Sequence, residues 1–194
     1  MGDHIRVRDT AELPATYREH RAVNLKDKKF TVAVQGIFLV VALAALGVAL
    51  LRLLPLDTSW SSVLTIPVTL VACIIYMAAH EATHGVLLHM LTKVKPFYAV
   101  RFPFLTTGNH AYLTRRSAVI VALAPAVIWG IILIAALSAA PQDYRLTVYI
   151  LLALNFAGSA GDYVEVYVVT RQQPDALVQD DGNKVRVFIP RDGR

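Results

Sequence analysis

Four long apolar runs, separated by short polar stretches, dominate the chain. Thr31–Leu51 and Ser117–Ala140 contain no charged residue. Ser62–Leu91 is apolar apart from one polar cluster and His89, and Leu146–Thr170 carries only Asp162 and Glu165. A helix needs about 20 residues to cross a hydrocarbon layer about 30 Å thick, so each run is long enough to span. The pattern predicts an all-α polytopic membrane protein, a four-transmembrane-helix bundle. The second run exceeds the needed length, which implies tilt or a protruding end. Pro67 falls near the start of that run, where it is tolerated. Pro125 falls inside the third run and should kink it.

The polar stretches have structure of their own. Phe97–Phe104 is rich in aromatic and β-branched residues, and Thr106-Thr107-Gly108-Asn109 is a turn signal before His110-Ala111-Tyr112-Leu113. This reads as a small β-hairpin or re-entrant strand, with Pro96 and Pro103 favouring an edge position. A second hairpin is expected where Asp180-Asp181-Gly182-Asn183 separates Ala176–Gln179 from Lys184–Ile189. The organisation is then a polar tail over 1–29, a membrane domain over 30–170 and a polar tail over 171–194.

Charge orients this arrangement. Seven Lys/Arg lie in the first 29 residues, five in Thr92–Arg116 and five from Arg171 onward, while the other two connections hold only Arg52 and Arg145. By the positive-inside rule, both tails and the middle loop face the cytoplasm, in a plasma (inner) membrane. A formal charge of +5 and a pI near 9.5 therefore need no nucleic-acid partner. The mean hydropathy of +0.51 and a hydrophobic content of 56% exclude an ordinary soluble domain and make the lipid bilayer the first partner. The N-terminal stretch lacks the apolar core and cleavage site of a secretory signal, so the first run reads as an uncleaved anchor. The single cysteine, Cys73, forms no intrachain disulfide and reads as a small buried apolar residue.

The polar cluster of the second run is His80-Glu81-Ala82-Thr83-His84, an H-E-x-x-H motif. Spacing of i, i+4 puts both imidazoles on one helix face, where they can share a metal ion with Glu81 beside a water there. With six His and four Glu in the chain, chance gives roughly 0.004 such motifs. Ionisable groups at membrane depth are costly and mark functional sites. The competing structural reading is a pair of core histidines hydrogen-bonded within the bundle.

Catalytic zinc commonly takes three protein ligands. The other acids in the runs are Asp162 and Glu165, and depth selects between them. His84 precedes Lys93 by nine residues and Asp162 precedes Arg171 by nine. Both then lie roughly 13 Å from the basic edge. Gly158-Ser159-Ala160-Gly161, and Ala78, Ala79, Ala82 and Gly85 around the motif, permit the close helix approach a short Asp needs. Asp162 is the expected third ligand, with Glu165 as the alternative. Asn155, Ser159 and Asp162 make one polar stripe. Asn155 is a candidate for binding a substrate carbonyl, with interhelical hydrogen bonding as its more ordinary role. His89 points about 140° away from His84 and reads as an interfacial residue, and His110 as a solvated loop residue.

At these residues the chain resembles the putative zincin peptidase family of small bacterial membrane proteins. The resemblance rests on His80-Glu81-Ala82-Thr83-His84-Gly85, Leu123-Ala124-Pro125, Gly161-Asp162 and the Pro174–Asp180 tail, in that order. It covers roughly residues 70–182. The motif also resembles the site-two proteases, intramembrane metalloproteases whose third ligand is an aspartate. Asn155 and Asp162 are kept here, without that family's prolines and Leu-Asp-Gly.

The resulting expectation is a zinc metallopeptidase acting on a protein or peptide with a transmembrane segment. His80, His84 and Asp162 hold zinc, and Glu81 is the general base. Two readings compete: a zinc-stabilised membrane scaffold or sensor that does not cut, and a metal-ion carrier. An intact Glu81 argues against the scaffold, and the lack of a second polar track argues against the carrier.

Overall fold

The computed structural model describes residues 8–25, 27–101, 104–180 and 184–191. Lys28–Leu50 (α1), Ser62–Thr92 (α2) and Arg115–Ala139 (α3) are long and apolar enough to cross a membrane. The fourth apolar run is divided. Gln142–Gly158 (α4) and Ala160–Thr170 (α5) meet at Ser159. The expected four continuous spans are thus three continuous helices and one broken pair among the described residues. The break has a local cause. The Ser159 N–H and hydroxyl both donate to the Asn155 carbonyl, at 3.3 and 2.8 Å. A serine bonding back to its own preceding turn bends a helix. The consequence is that Asp162 lies in the first turn of α5, where the helix dipole favours a carboxylate.

α3 packs against α2, α4 and α5, and α1 lies outside, against α4 and α5. α1 buries no residue within the protein, and Phe38, Leu39, Leu43 and Leu46 are exposed on it. The face of α3 toward its neighbours is built of small residues, with Ala118, Ala122, Pro125, Ala126 and Gly130 all buried. A Cβ on Gly130 would stand 3.3 Å from the Asn155 amide nitrogen. Small residues here let backbone and side chains of adjacent helices meet.

One end of the bundle carries a four-stranded antiparallel sheet in the order β1-β6-β5-β4. Leu177–Asp180 (β5) and Lys184–Pro190 (β6) form the C-terminal hairpin anticipated from sequence. Leu113–Thr114 (β4) pairs with β5. Tyr17–Asn24 (β1), in the stretch read as an N-terminal tail, pairs with β6 through Tyr17↔Pro190 to Asn24↔Lys184. Asp9 fixes the same stretch to α3, where its carboxylate accepts from the Thr114 N–H at 2.6 Å and the Ser117 hydroxyl at 2.7 Å. Leu88, Val121 and Val169 from the helices pack with Val178, Val185 and Val187 of the sheet, so sheet and helix ends share one core.

The middle-loop hairpin also forms, with strand in place of the expected turn at 106–108. Phe97–Arg101 (β2) pairs with Phe104–Gly108 (β3) from Phe97↔Gly108 to Arg101↔Phe104. The pairing ends at Arg101↔Phe104, and residues 102–103 between them lie outside the described residues. Thr106, Thr107 and Gly108, expected in a turn, are strand. Asn109 supplies the physical reason. Its side chain accepts from the Ala111 N–H and donates to Thr92, so the turn chemistry at this point takes the chain out of the hairpin toward β4.

At the opposite end, Asp143 accepts from the Ser59 N–H at 2.7 Å, the Ser59 hydroxyl at 2.8 Å and the Thr58 hydroxyl at 3.2 Å. These bonds, led by the Ser59 backbone, hold its carboxyl below the usual aspartate range. A depressed folded value means that this tether is in force above the ordinary aspartate pKa of about 3.9 and is lost as pH falls through the depressed value. Limited proteolysis of the 51–61 connection should therefore be slow at pH 7 and accelerate below about pH 4. Asp143→Ala should show the faster cleavage at both pH values.

Candidate metal centre

The site is assembled from α2 and α5. His80 and His84 lie one turn apart on the inner face of α2, and both are buried. Their Nε2 atoms face one carboxylate. His80 Nε2 stands 3.4 Å from Asp162 Oδ2, and His84 Nε2 stands 3.5 Å from Asp162 Oδ1. Ligand atoms of the three residues all fall within 4.8 Å of one another.

Hydrogen bonds behind the rings decide which nitrogen carries the proton. His84 Nδ1 is 3.0 Å from the Val121 carbonyl. A carbonyl only accepts, so Nδ1–H donates, and in the neutral ring Nε2 keeps its lone pair. His80 is set by a longer relay. The Asn155 amide donates to the Ala126 carbonyl at 2.9 Å, which turns Asn155 Oδ1 toward Tyr76. The Tyr76 hydroxyl donates to Asn155 Oδ1 at 2.6 Å, so its oxygen is left to accept from His80 Nδ1 at 3.1 Å. In the neutral rings, both Nε2 lone pairs then point at the Asp162 carboxylate oxygens. Such a donor set is completed by a cation, and two imidazoles with one carboxylate are the donors of a catalytic zinc site. The residues fit the metal.

Glu81 lies beside the cluster, one position from His80 on α2. Thr107 of β3 holds it. The threonine hydroxyl lies 2.8 Å from Glu81 Oε2 and 3.0 Å from the Glu81 carbonyl. The hairpin is packed tightly here, since a Cβ on Gly85 would collide with the Tyr98 hydroxyl. A cavity of about 290 Å³ opens between the hairpin, α2 and α5, lined by Glu81, His84, Thr107, Asp162, Glu165 and Asp180. A second, more apolar cavity of about 650 Å³ lies between α1, α2 and α4, and reaches His80 and Glu81. Glu81 borders both.

Of the residues singled out from sequence, His80, Glu81, His84 and Asp162 come together. Asn155 is fully buried, and both ends of its amide are engaged within the bundle. Glu165 lines the smaller cavity but is outside the three-residue cluster. His89 is exposed, with Nδ1 3.3 Å from the Val94 carbonyl. His110 is exposed against the Phe97 ring, 5.2 Å between centroids. Sequence reasoning missed Tyr76, Thr107 and the Val121 carbonyl. Tyr76 had a signal, because it sits at i−4 from His80 on the same helix face. Thr107 had none, since 26 residues separate it from Glu81.

Partners behind a metal-binding histidine commonly account for 10- to 100-fold in metal affinity. Tyr76→Phe removes the acceptor for His80 Nδ1 while keeping the ring. It should weaken zinc binding by about that factor in a chelator-competition titration, with helix content by circular dichroism unchanged.

Comparison with known proteins adds one family to this geometry. A family model described as putative zincin peptidase matches residues 73–178, a stretch that includes His80, Glu81, His84, Thr107, Pro125 and Asp162. No curated protein and no solved structure matches the chain. The zincin family implies zinc, which is the metal that the donor set suits. With more than half of its length matched, the chain belongs to the putative zincin peptidase family.

Proposed function

We propose that the protein is a zinc-dependent, membrane-embedded peptidase of the site-two protease type, cutting membrane or membrane-proximal proteins near the cytoplasmic side. The observation that carries this reading is the convergence of His80, His84 and Asp162 with both Nε2 lone pairs turned inward and Glu81 alongside. His80, His84 and Asp162 would hold the metal. Zinc bound there supplies Lewis acidity to a water and to the scissile carbonyl. Glu81 would take a proton from the attacking water and pass it to the leaving amine. Thr107 holds one Glu81 oxygen and leaves Oε1 for the transfer.

Substrate handling follows from the two cavities. The apolar one, beside the loosely packed α1, suits a lipid-facing approach of a substrate helix. That helix must unwind before attack, because its amides are bonded internally. The strand β3 borders the other cavity through Thr106, Thr107 and Gly108, and an extended substrate segment would add to the edge of the two-stranded sheet there. In this reading the α4–α5 pair completes a fourth crossing. The sheet and both termini then face the cytoplasm, where the Lys/Arg excess lies.

Detergent-purified protein should bind about one zinc per chain, and Asp162→Ala should lose most of it. When purified protein is incubated with single-span membrane proteins in liposomes, new peptide termini should appear by mass spectrometry. Glu81→Gln should retain zinc and lose at least about 10²-fold in rate. Cleavage at the wild-type rate by Glu81→Gln would exclude the mechanism. Zinc binding with no cleavage of any membrane substrate would favour a zinc-stabilised scaffold.

A further inference from the structure

Val121 lies inside α3, where its carbonyl would ordinarily accept from the N–H four residues on. Residue 125 is proline, which has no N–H. The Val121 carbonyl is therefore left without its helical donor by the covalent structure of the chain. Val121 and Pro125 are both buried, and a buried carbonyl without a donor is unfavourable. His84 has the complementary deficit. Its ring is buried, and its Nδ1–H needs an acceptor that does not itself carry a proton. The two meet at 3.0 Å.

We propose that Pro125 is a positioning residue for the metal centre. By withholding a backbone N–H, it reserves the Val121 carbonyl for His84 Nδ1 and so holds the His84 Nε2 lone pair toward Asp162. The small residues Ala118 and Ala122 beside Val121 on α3 let α2 approach closely enough for a side chain of one helix to reach the backbone of the other. α3 contributes no ligand, yet Val121 and Ala126 supply the carbonyls on which the orientation of both histidines rests. The proline's part in zinc binding rests on the peptidase reading above. Its part in choosing the tautomer does not.

The test compares three residues at position 125. Pro125→Ala restores the N–H, which then competes for the Val121 carbonyl. Lactic acid at 125, introduced as a backbone ester, has the alanine side chain but no N–H. In metal-free protein at a pH where imidazole is neutral, ¹⁵N NMR of His84 should show a protonated Nδ1 and a bare Nε2 for wild type and for the ester. Pro125→Ala should show a mixture of tautomers. Zinc affinity should fall about 10- to 100-fold in Pro125→Ala, and the ester should recover most of that loss. An unchanged tautomer and affinity in Pro125→Ala would overturn the proposal. Equal losses in the alanine and ester variants would also overturn it, by assigning the effect to the proline ring or the helix bend. A wild-type protein with the expected tautomer but no zinc binding would refute the peptidase reading and the proline's part in zinc binding, and would leave standing its part in choosing the tautomer.

Discussion

Polar groups set among apolar helices must find their partners inside the protein, and this constraint governs the structure around the site. Two imidazoles, a tyrosine hydroxyl and a primary amide lie within the bundle, and each is bonded to a neighbour. The network ends on two backbone carbonyls of α3. Backbone carbonyls are well suited to that role, because they cannot donate and so remove any ambiguity about where the protons lie. The directions of the remaining bonds then follow one from the next.

Close helix packing is the condition for such a network. Asn155 on α4 reaches the Ala126 carbonyl of α3 beside Gly130, and Tyr76 on α2 bonds to Asn155 in turn. The α4–α5 break serves the same end from the other side. Ser159 ends one helix and starts another, which places Asp162 at a helix N-terminus facing two histidines. An unbroken helix would put the same carboxylate in the middle of a turn, without the dipole that favours its charge.

The sheet end is coupled to this centre. β4 leads directly into α3, with Thr114 accepting from the Ser117 N–H at 3.2 Å. β3 delivers Thr107 to Glu81. The strands and the helix ends share one apolar cluster around Leu88, Val121 and Val187. A shift of the four-stranded sheet would therefore be felt at the α3 backbone, and a shift of the β2–β3 hairpin at Glu81.

Much of this was legible in the amino-acid order. Apolar runs of span length gave three helices in place, and H-E-x-x-H spacing put two imidazoles on one face because 3.6 residues per turn leaves no alternative. Equal distances to the basic edge paired Asp162 with His84 in depth. Periodicity is a local property, so local order suffices for it. The rest belongs to tertiary structure. The break at Ser159 depends on a serine turning back onto its own helix. β1 needs a partner strand some 160 positions away and has no meaning alone. Thr107 reaches Glu81, and the Val121 carbonyl reaches His84, only after α2, α3 and the hairpin have packed. A backbone carbonyl has no residue type to betray it, and only the fold decides which side chain it meets.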